Sequence, residues 1–304
     1  QDVANEMART HGLSVEHVYS TVLKGFSATI PQARLNKVKG DERVQFVSED
    51  RIVEAFTRTT LTVTAQTIPT GVSRVNVPEN SNKGTSIGVA VIDTGIDLTH
   101  PDLKANIIAN YSCIRGKKTA NDDNGHGSHV AGIIAALNNT TGVVGVSPEA
   151  RLVAVKVLNA NGSGSWSTVI CGIDWVTANA SKYNIKVANM SLGGCGSSDN
   201  NCGNSNNDAL HKAICKSTAT GVTYIAAAGN SSANASTFVP AAYNDTVITV
   251  SALADSDGQS GGLGSSTSYG ADDTFASFSN YGNVVDLGAT GVSIFSTWKS
   301  GGYN

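Results

Sequence analysis

Val89-Ala90-Val91-Ile92-Asp93-Thr94-Gly95 decides the fold of this 304-residue chain. Four consecutive apolar residues, mostly β-branched, leave no alternate position for water, so the run reads as a strand buried on both faces. Similar runs recur at Ile87 to Ile92 around it, then at Arg151 to Val157, Val187 to Met190, Val222 to Ala227 and Val247 to Ser251. Helical stretches over Gly127 to Ala136, Ser165 to Asn179 and Asn207 to Thr220 separate them. That alternation predicts an α/β fold, a doubly wound and mostly parallel sheet covered on both faces. Ligands of such sheets collect at the carboxyl ends of the strands. Asp93 follows directly on its strand, and Asn230, in Ala226-Ala227-Ala228-Gly229-Asn230, follows on another.

Residues 1–55 have a different grammar. A helix over Val3 to Arg9 closes at Gly12, strands are expected at Val15 to Tyr19 and Phe26 to Ile30, and a second helix runs from Gln32 to Lys39. Val44-Gln45-Phe46-Val47-Ser48 alternates like a further strand. The order α-β-β-α-β reads as a small α+β ferredoxin-like unit lacking its first strand. A Thr-rich linker over 56–64 leads into a second unit over 65–304.

Composition narrows the function classes. A net charge of −3 gives no footprint for nucleic acid or an anionic membrane. No apolar run approaches the roughly 18 residues of a membrane-spanning helix. Cys113, Cys171, Cys195, Cys202 and Cys215 lack the spacing of a zinc ribbon or a thioredoxin motif. In an oxidising compartment one or two disulfides and a free thiol are expected; Cys195 with Cys202, and Cys202 with Cys215, are both plausible pairs. Cys171, inside the apolar stretch Val169 to Trp175, reads as a buried unpaired thiol.

Chemistry is carried by three motifs. Asp93 closes the first; the second is Gly125-His126-Gly127-Ser128-His129-Val130-Ala131-Gly132; the third ends in Asn230. A hydroxyl nucleophile needs a neighbouring imidazole to take its proton, and that imidazole needs an oriented tautomer. Together and in this order the motifs resemble those of the subtilisin-like serine peptidases. The resemblance implies that Asp93 orients His126, that His126 is the general base, and that Asn230 donates to the oxyanion. His129 is then the non-catalytic neighbour. It also implies that residues 1–55 are an inhibitory propeptide acting within its own chain, with self-cleavage somewhere in 54–65.

Two glycine-rich edges extend the resemblance. Gly162-Ser163-Gly164-Ser165-Trp166 and Ser191-Leu192-Gly193-Gly194 match segments that flank bound peptide, where backbone can pair with an extended substrate. Gly162, Ser163, Gly164, Trp166, Ser191, Leu192 and Gly193 are the candidate substrate residues; core packing competes for Leu192. The loop Leu137 to Val143 resembles a calcium loop of the family, implying that Leu137, Asn139, Thr141 and Val143 join Gln66 and Asp102 around a structural calcium ion. Oxygen donors suit that hard cation. No organic cofactor, nucleic acid or membrane partner is expected. The picture is of a secreted, monomeric endopeptidase acting on polypeptides.

The family pattern also includes Gly-Thr-Ser-Met-Ala, and residues 1–304 contain no such stretch. Gly84-Thr85-Ser86 leads into Ile87 and the Asp93 strand, the wrong context for a nucleophile. Residues 1–304 by themselves are therefore expected to be inactive, with one face of the sheet short of cover. The alternative is a non-catalytic inhibitor or binding protein on a peptidase-like scaffold; the joint presence of Asp93, His126 and Asn230 speaks against it. A nucleotide-binding fold is further away, since no Gly-x-Gly-x-x-Gly loop follows the strand.

Overall fold

The computed structural model describes residues 1–55, 65–77 and 81–304, so the linker over 56–64 lies outside the described residues. Its centre is an eight-stranded sheet. Strands Ile107–Ser112, Arg151–Lys156, Gly88–Asp93, Ile185–Met190, Thr223–Ala227 and Val247–Ala254 lie side by side, all parallel. Leu287–Thr290 continues the parallel order, and Thr274–Phe275 adds an antiparallel edge. The unbroken apolar run 89–92 takes a central place and is buried throughout, as a strand covered on both faces must be.

Helices Trp166–Asn179 and Ala209–Thr218 cover one face, where Ala90, Ile92, Val153, Val155, Tyr224 and Ala226 join the largest buried cluster. Helix His126–Ala135 covers the other face over Val89, Val91, Leu152 and Ala154. Cover on that face thins along the later strands, where Ile248 and Leu287 are exposed.

Cys171 is not an unpaired core thiol. It is bonded to Cys113, 58 residues away, and so ties the helix 166–179 to the end of the strand 107–112. In the chain-entropy account a loop of that length is worth about 4 kcal/mol. Cys202 pairs with Cys215, one of the two pairings left open, and Cys195 is free and exposed.

In the N-terminal unit, helix Asp2–His11 and the hairpin Ser14–Tyr19/Gly25–Thr29 form as expected. The expected strand at 44–48 does not. The Val44 N–H is spent on the Asp41 carbonyl in a turn, while the side chains of Val44 and Val47 pack against the small cluster of Met7, Leu13 and Val38. Extended pairing comes later, at Ile52–Glu54, and its partner is in the second unit: Ile52, Val53 and Glu54 lie antiparallel to Ser165, Gly164 and Ser163.

Candidate active site

The carboxyl end of the strand 88–93 positions the acid. The Asp93 carbonyl accepts N–H bonds from Val157 (2.8 Å) and Leu158 (3.1 Å), which fixes the backbone at its exit from the sheet. The side chain is fully buried and meets Nδ1 of His126 with both carboxylate oxygens, at 2.8 and 2.9 Å. A carboxylate only accepts, so Nδ1 carries the proton and Nε2 is the free basic nitrogen in the neutral ring. Burial pushes the His126 pKa down, but the charge of Asp93 and its hydrogen bond outweigh burial and hold it above the ordinary histidine value.

His126 opens the helix 126–135, and a residue that sequence reading passed over holds that helix end. Asp122 accepts from the Asn124 and Gly125 amides (both 2.9 Å), from the Ser128 amide (2.9 Å) and hydroxyl (2.6 Å), and from the Thr94 hydroxyl (2.9 Å). A carboxylate among the vacant N–H groups of a first helical turn is favoured by hydrogen bonding and by the helix dipole. It also ties the His126 turn to the residue after Asp93. An acid just ahead of a helix start was the available signal. Gly127 is needed for contact: a Cβ there would sit 2.0 Å from the Gly95 carbonyl oxygen.

Below this site lies Lys156, fully buried. Its ammonium donates to the Thr94 carbonyl, to the Leu158 carbonyl at 2.9 Å and to Asp123 at 2.7 Å. His129 is not part of the pair. Its Nε2 donates to the Ile294 carbonyl at 3.0 Å, and burial lowers its pKa.

Asn230 stands two residues beyond the buried Ala228, in the loop after the strand 223–227, and is exposed. Among the described residues nothing hydrogen-bonds its side chain, and no serine hydroxyl bonds Nε2 of His126.

The two glycine-rich edges come together around residues 51–55. Trp166 N–H donates to the Arg51 carbonyl (2.8 Å) and Ala55 N–H to the Gly162 carbonyl (2.8 Å). On the other side Glu54 N–H donates to Gly193 (3.2 Å), and Gly193 N–H returns a bond to Glu54 (3.4 Å). Residues 52–54 therefore pair as a strand with 163–165 on one side and meet Gly193 through a single bridge at Glu54 on the other. Val53 is fully buried and shares a cluster with Leu158, Trp166 and Leu192. Ser191 flanks this groove and accepts from Asn189 at 2.9 Å. Asn124 joins the backbone of His126 to the segment leading into the groove: its Oδ1 accepts the His126 N–H at 3.1 Å, and its Nδ2 donates to the Ala160 carbonyl at 3.1 Å.

Residues 1–55 grip the helix 166–179 at two further points. Asp50 accepts from the Ser167 amide (2.9 Å) and hydroxyl (2.6 Å) at the helix start. Asp174, further along, accepts from the Ser20, Thr21 and Val22 amides at 3.3, 2.6 and 2.7 Å.

Five of the expected metal ligands, Gln66, Asp102, Leu137, Asn139 and Val143, are gathered. Leu137 O, Val143 O and Asn139 Oδ1 face the Gln66 amide nitrogen at 2.9, 3.4 and 3.5 Å. The buried carboxylate of Asp102 accepts from Asn139 (2.8 Å), the Val143 amide (3.1 Å) and Tyr303 (2.9 Å). Thr141 enters through its N–H, bonded to Asn139 Oδ1 at 2.7 Å. Oxygen atoms converging on a single polar group, with a carboxylate alongside, fit a hard divalent cation.

Comparison with known proteins adds the lineage of these parts. Residues 84–304 match the family model described as Subtilase family, and residues 3–56 match that described as Peptidase inhibitor I9. Subtilisin DY of Bacillus licheniformis is 40% identical over 79% of the chain, the match spanning 78% of that protein. Subtilisin amylosacchariticus of Bacillus subtilis subsp. amylosacchariticus is 38% identical over 91% of the chain and 64% of its own length. Alkaline serine exoprotease A of Vibrio alginolyticus is 34% identical over 100% of the chain, which spans only 52% of it. A crystal structure of a cold adapted subtilisin-like serine proteinase superposes with a TM-score of 0.59 at 34% identity, covering 74% of this chain and 70% of that one.

Proposed function

The chain belongs to the subtilase family, and on that premise we propose that the whole protein is a secreted serine endopeptidase made as a self-inhibited precursor. One observation carries the reading: Asp93 and His126 form an oriented acid–imidazole pair beside a groove already filled, strand-fashion, by residues 51–55 of the same chain. A polypeptide substrate would take the place of that segment, held mainly through backbone bonds to Gly162, Ser163, Gly164, Ser191 and Gly193, with an apolar side chain where Val53 now sits beside Trp166 and Leu192.

In the reaction His126 Nε2 takes the proton of a serine hydroxyl, which we assign to the part of the whole protein outside residues 1–304. The serine oxygen attacks the scissile carbonyl while Asp93 steadies the imidazolium. The Asn230 amide donates to the oxyanion, and His126 then returns its proton to the leaving amine. Hydrolysis of the acyl-enzyme repeats the steps with water as the nucleophile.

Among the described residues the paired stretch runs as far as Ala55, and we place processing in the linker over 56–64. N-terminal sequencing of the activated complete protein should find its first residue within or at the end of that linker; a mature end beyond Gly71 overturns the assignment. Residues 1–55 added back should inhibit the processed enzyme competitively. Two disulfides fit an oxidising, extracellular setting. Among the described residues no helix is long and apolar enough to cross a membrane.

Gln66, Asp102 and Asn139, with the carbonyls of Leu137, Thr141 and Val143, would hold calcium, which supplies a cross-link between loops and takes no part in the chemistry. An ion at a hundred times its dissociation constant adds about 2.7 kcal/mol to stability. Chelation should therefore lower Tm by roughly 5–10 °C for a domain of this size. An unchanged Tm removes the ion.

A further inference from the structure

We propose that Asn280 is a positioning residue for the reaction, acting through Asn230 by fixing the turn that presents it; the proposal rests on the oxyanion reading of Asn230 given above. Asn280 is fully buried, 50 residues along the chain from Asn230, and every polar atom of its side chain is directed at the residues around that position. Its Oδ1 accepts from the Ser231 amide (2.9 Å) and the Ala233 amide (3.1 Å). Its Nδ2 donates to the Ala228 carbonyl at 2.9 Å, and its own N–H donates to the Gly229 carbonyl at 2.8 Å. The partners fix which side-chain atom is which, since two N–H groups require oxygen and a carbonyl requires nitrogen.

The fit is close enough to dictate the neighbouring residue. Gly229 has φ +109°, and a Cβ there would fall 2.4 Å from Asn280 Nδ2. Further bonds join the same two segments: Ser232 N–H to the Phe278 carbonyl (2.9 Å), Tyr281 N–H to the Ala233 carbonyl (3.0 Å) and Ala235 N–H to the Tyr281 carbonyl (2.8 Å). Residues 228, 229, 231, 232 and 233 are thus all held, and Asn230 between them is exposed.

Such an arrangement suits a donor whose N–H must meet charge that exists only in the transition state. A preorganised donor is worth most when nothing has to move as the charge develops. The Asn230 side-chain amide has no hydrogen-bond partner among the described residues, which leaves its N–H groups available to an oxyanion. The locking therefore falls to backbone on either side of it, and Asn280 supplies it from a buried position where its own bonds are shielded from water.

The test is a double-mutant cycle in the complete protein, processed to its active form and assayed on a chromogenic peptide anilide. Asn280→Ala should lower kcat roughly 10- to 30-fold, with KM within about two-fold, because only transition-state binding is lost. Asn280→Asp keeps the two accepted bonds and should recover part of that loss, and it serves as the folded comparison if the alanine variant is poorly folded. In an Asn230→Ala background, Asn280→Ala should change kcat by less than about two-fold, since the group it positions is gone. Equal losses in both backgrounds, or a change confined to KM, overturn the positioning role and leave the oxyanion reading standing. An Asn230→Ala enzyme with unaltered kcat overturns the oxyanion reading itself.

Discussion

His126 and Asn230 stand at the same edge of the sheet and are held in opposite ways. His126 is bonded through its own side chain, Nδ1 against both oxygens of a buried carboxylate. Asn230 is exposed, and only the backbone around it is tied down. On the roles proposed for the two residues, the contrast follows from timing. A general base must be in the right tautomer before the reaction begins, so its orienting bond is permanent. An oxyanion donor needs an N–H available when charge appears, and since the Asn230 side chain has no partner among the described residues, its placement rests on the bonded backbone beside it.

The most severe way to probe the contrast is Asp93→Asn in the complete protein. An amide can stabilise the wrong tautomer, and kcat should fall about 10⁴-fold while the fold persists by circular dichroism. Retention of even a tenth of the activity would mean that Asp93 does not orient the base. Next in size is Asn230→Ala, expected to lower kcat about 10²- to 10³-fold at nearly constant KM, the range that loss of one such donor costs in subtilisin. A loss expressed in KM instead would make Asn230 a ground-state contact and erase the distinction drawn above.

The smallest effect lies in the pH profile. On the proposed role His126 works as neutral imidazole, and Asp93 favours its charged form. Activity should therefore rise with pH through a midpoint above the ordinary value of about 6.5. Asp93→Asn should move whatever limb remains measurable downward. A wild-type limb at or below 6.5 in kcat/KM would show that the pairing is weaker in the processed enzyme than in the precursor.

Much of the framework was legible because it is local. The run 89–92 could be little other than a buried strand, and Asp93, His126 and Asn230 each sit in a motif that can be read without knowing its surroundings. Asn280 lies in Phe278-Ser279-Asn280-Tyr281, which reads as an ordinary polar turn. Its importance comes from an approach between segments 50 residues apart, and no periodicity encodes that. The Cys113–Cys171 pairing was hidden for the same reason, since spacing says nothing of a partner 58 residues away. The misplaced strand is more instructive. Val44 to Ser48 has the better alternation, yet residues 52–54 are the ones that pair, because the glycine-rich edges of the second unit supply the partner. Propensity described the segment, and the groove chose the strand. The strand Ile107–Ser112, with its exposed and half-buried pattern, lies at the sheet margin and carried too little apolar signal to be noticed.

The clasp on residues 51–55 has a consequence for when such an enzyme would become active. While the linker is intact the blocking strand is present at an effective concentration of the order of millimolar, set by tether length and not by the amount of protein. Cutting the linker changes the governing variable. The freed segment then equilibrates with the bulk, and occupancy of the groove depends on dilution. A crowded solution of freshly cut molecules would stay silent, whereas the same molecules dispersed into a large volume would switch on, so that distance from the site of release acts as the clock.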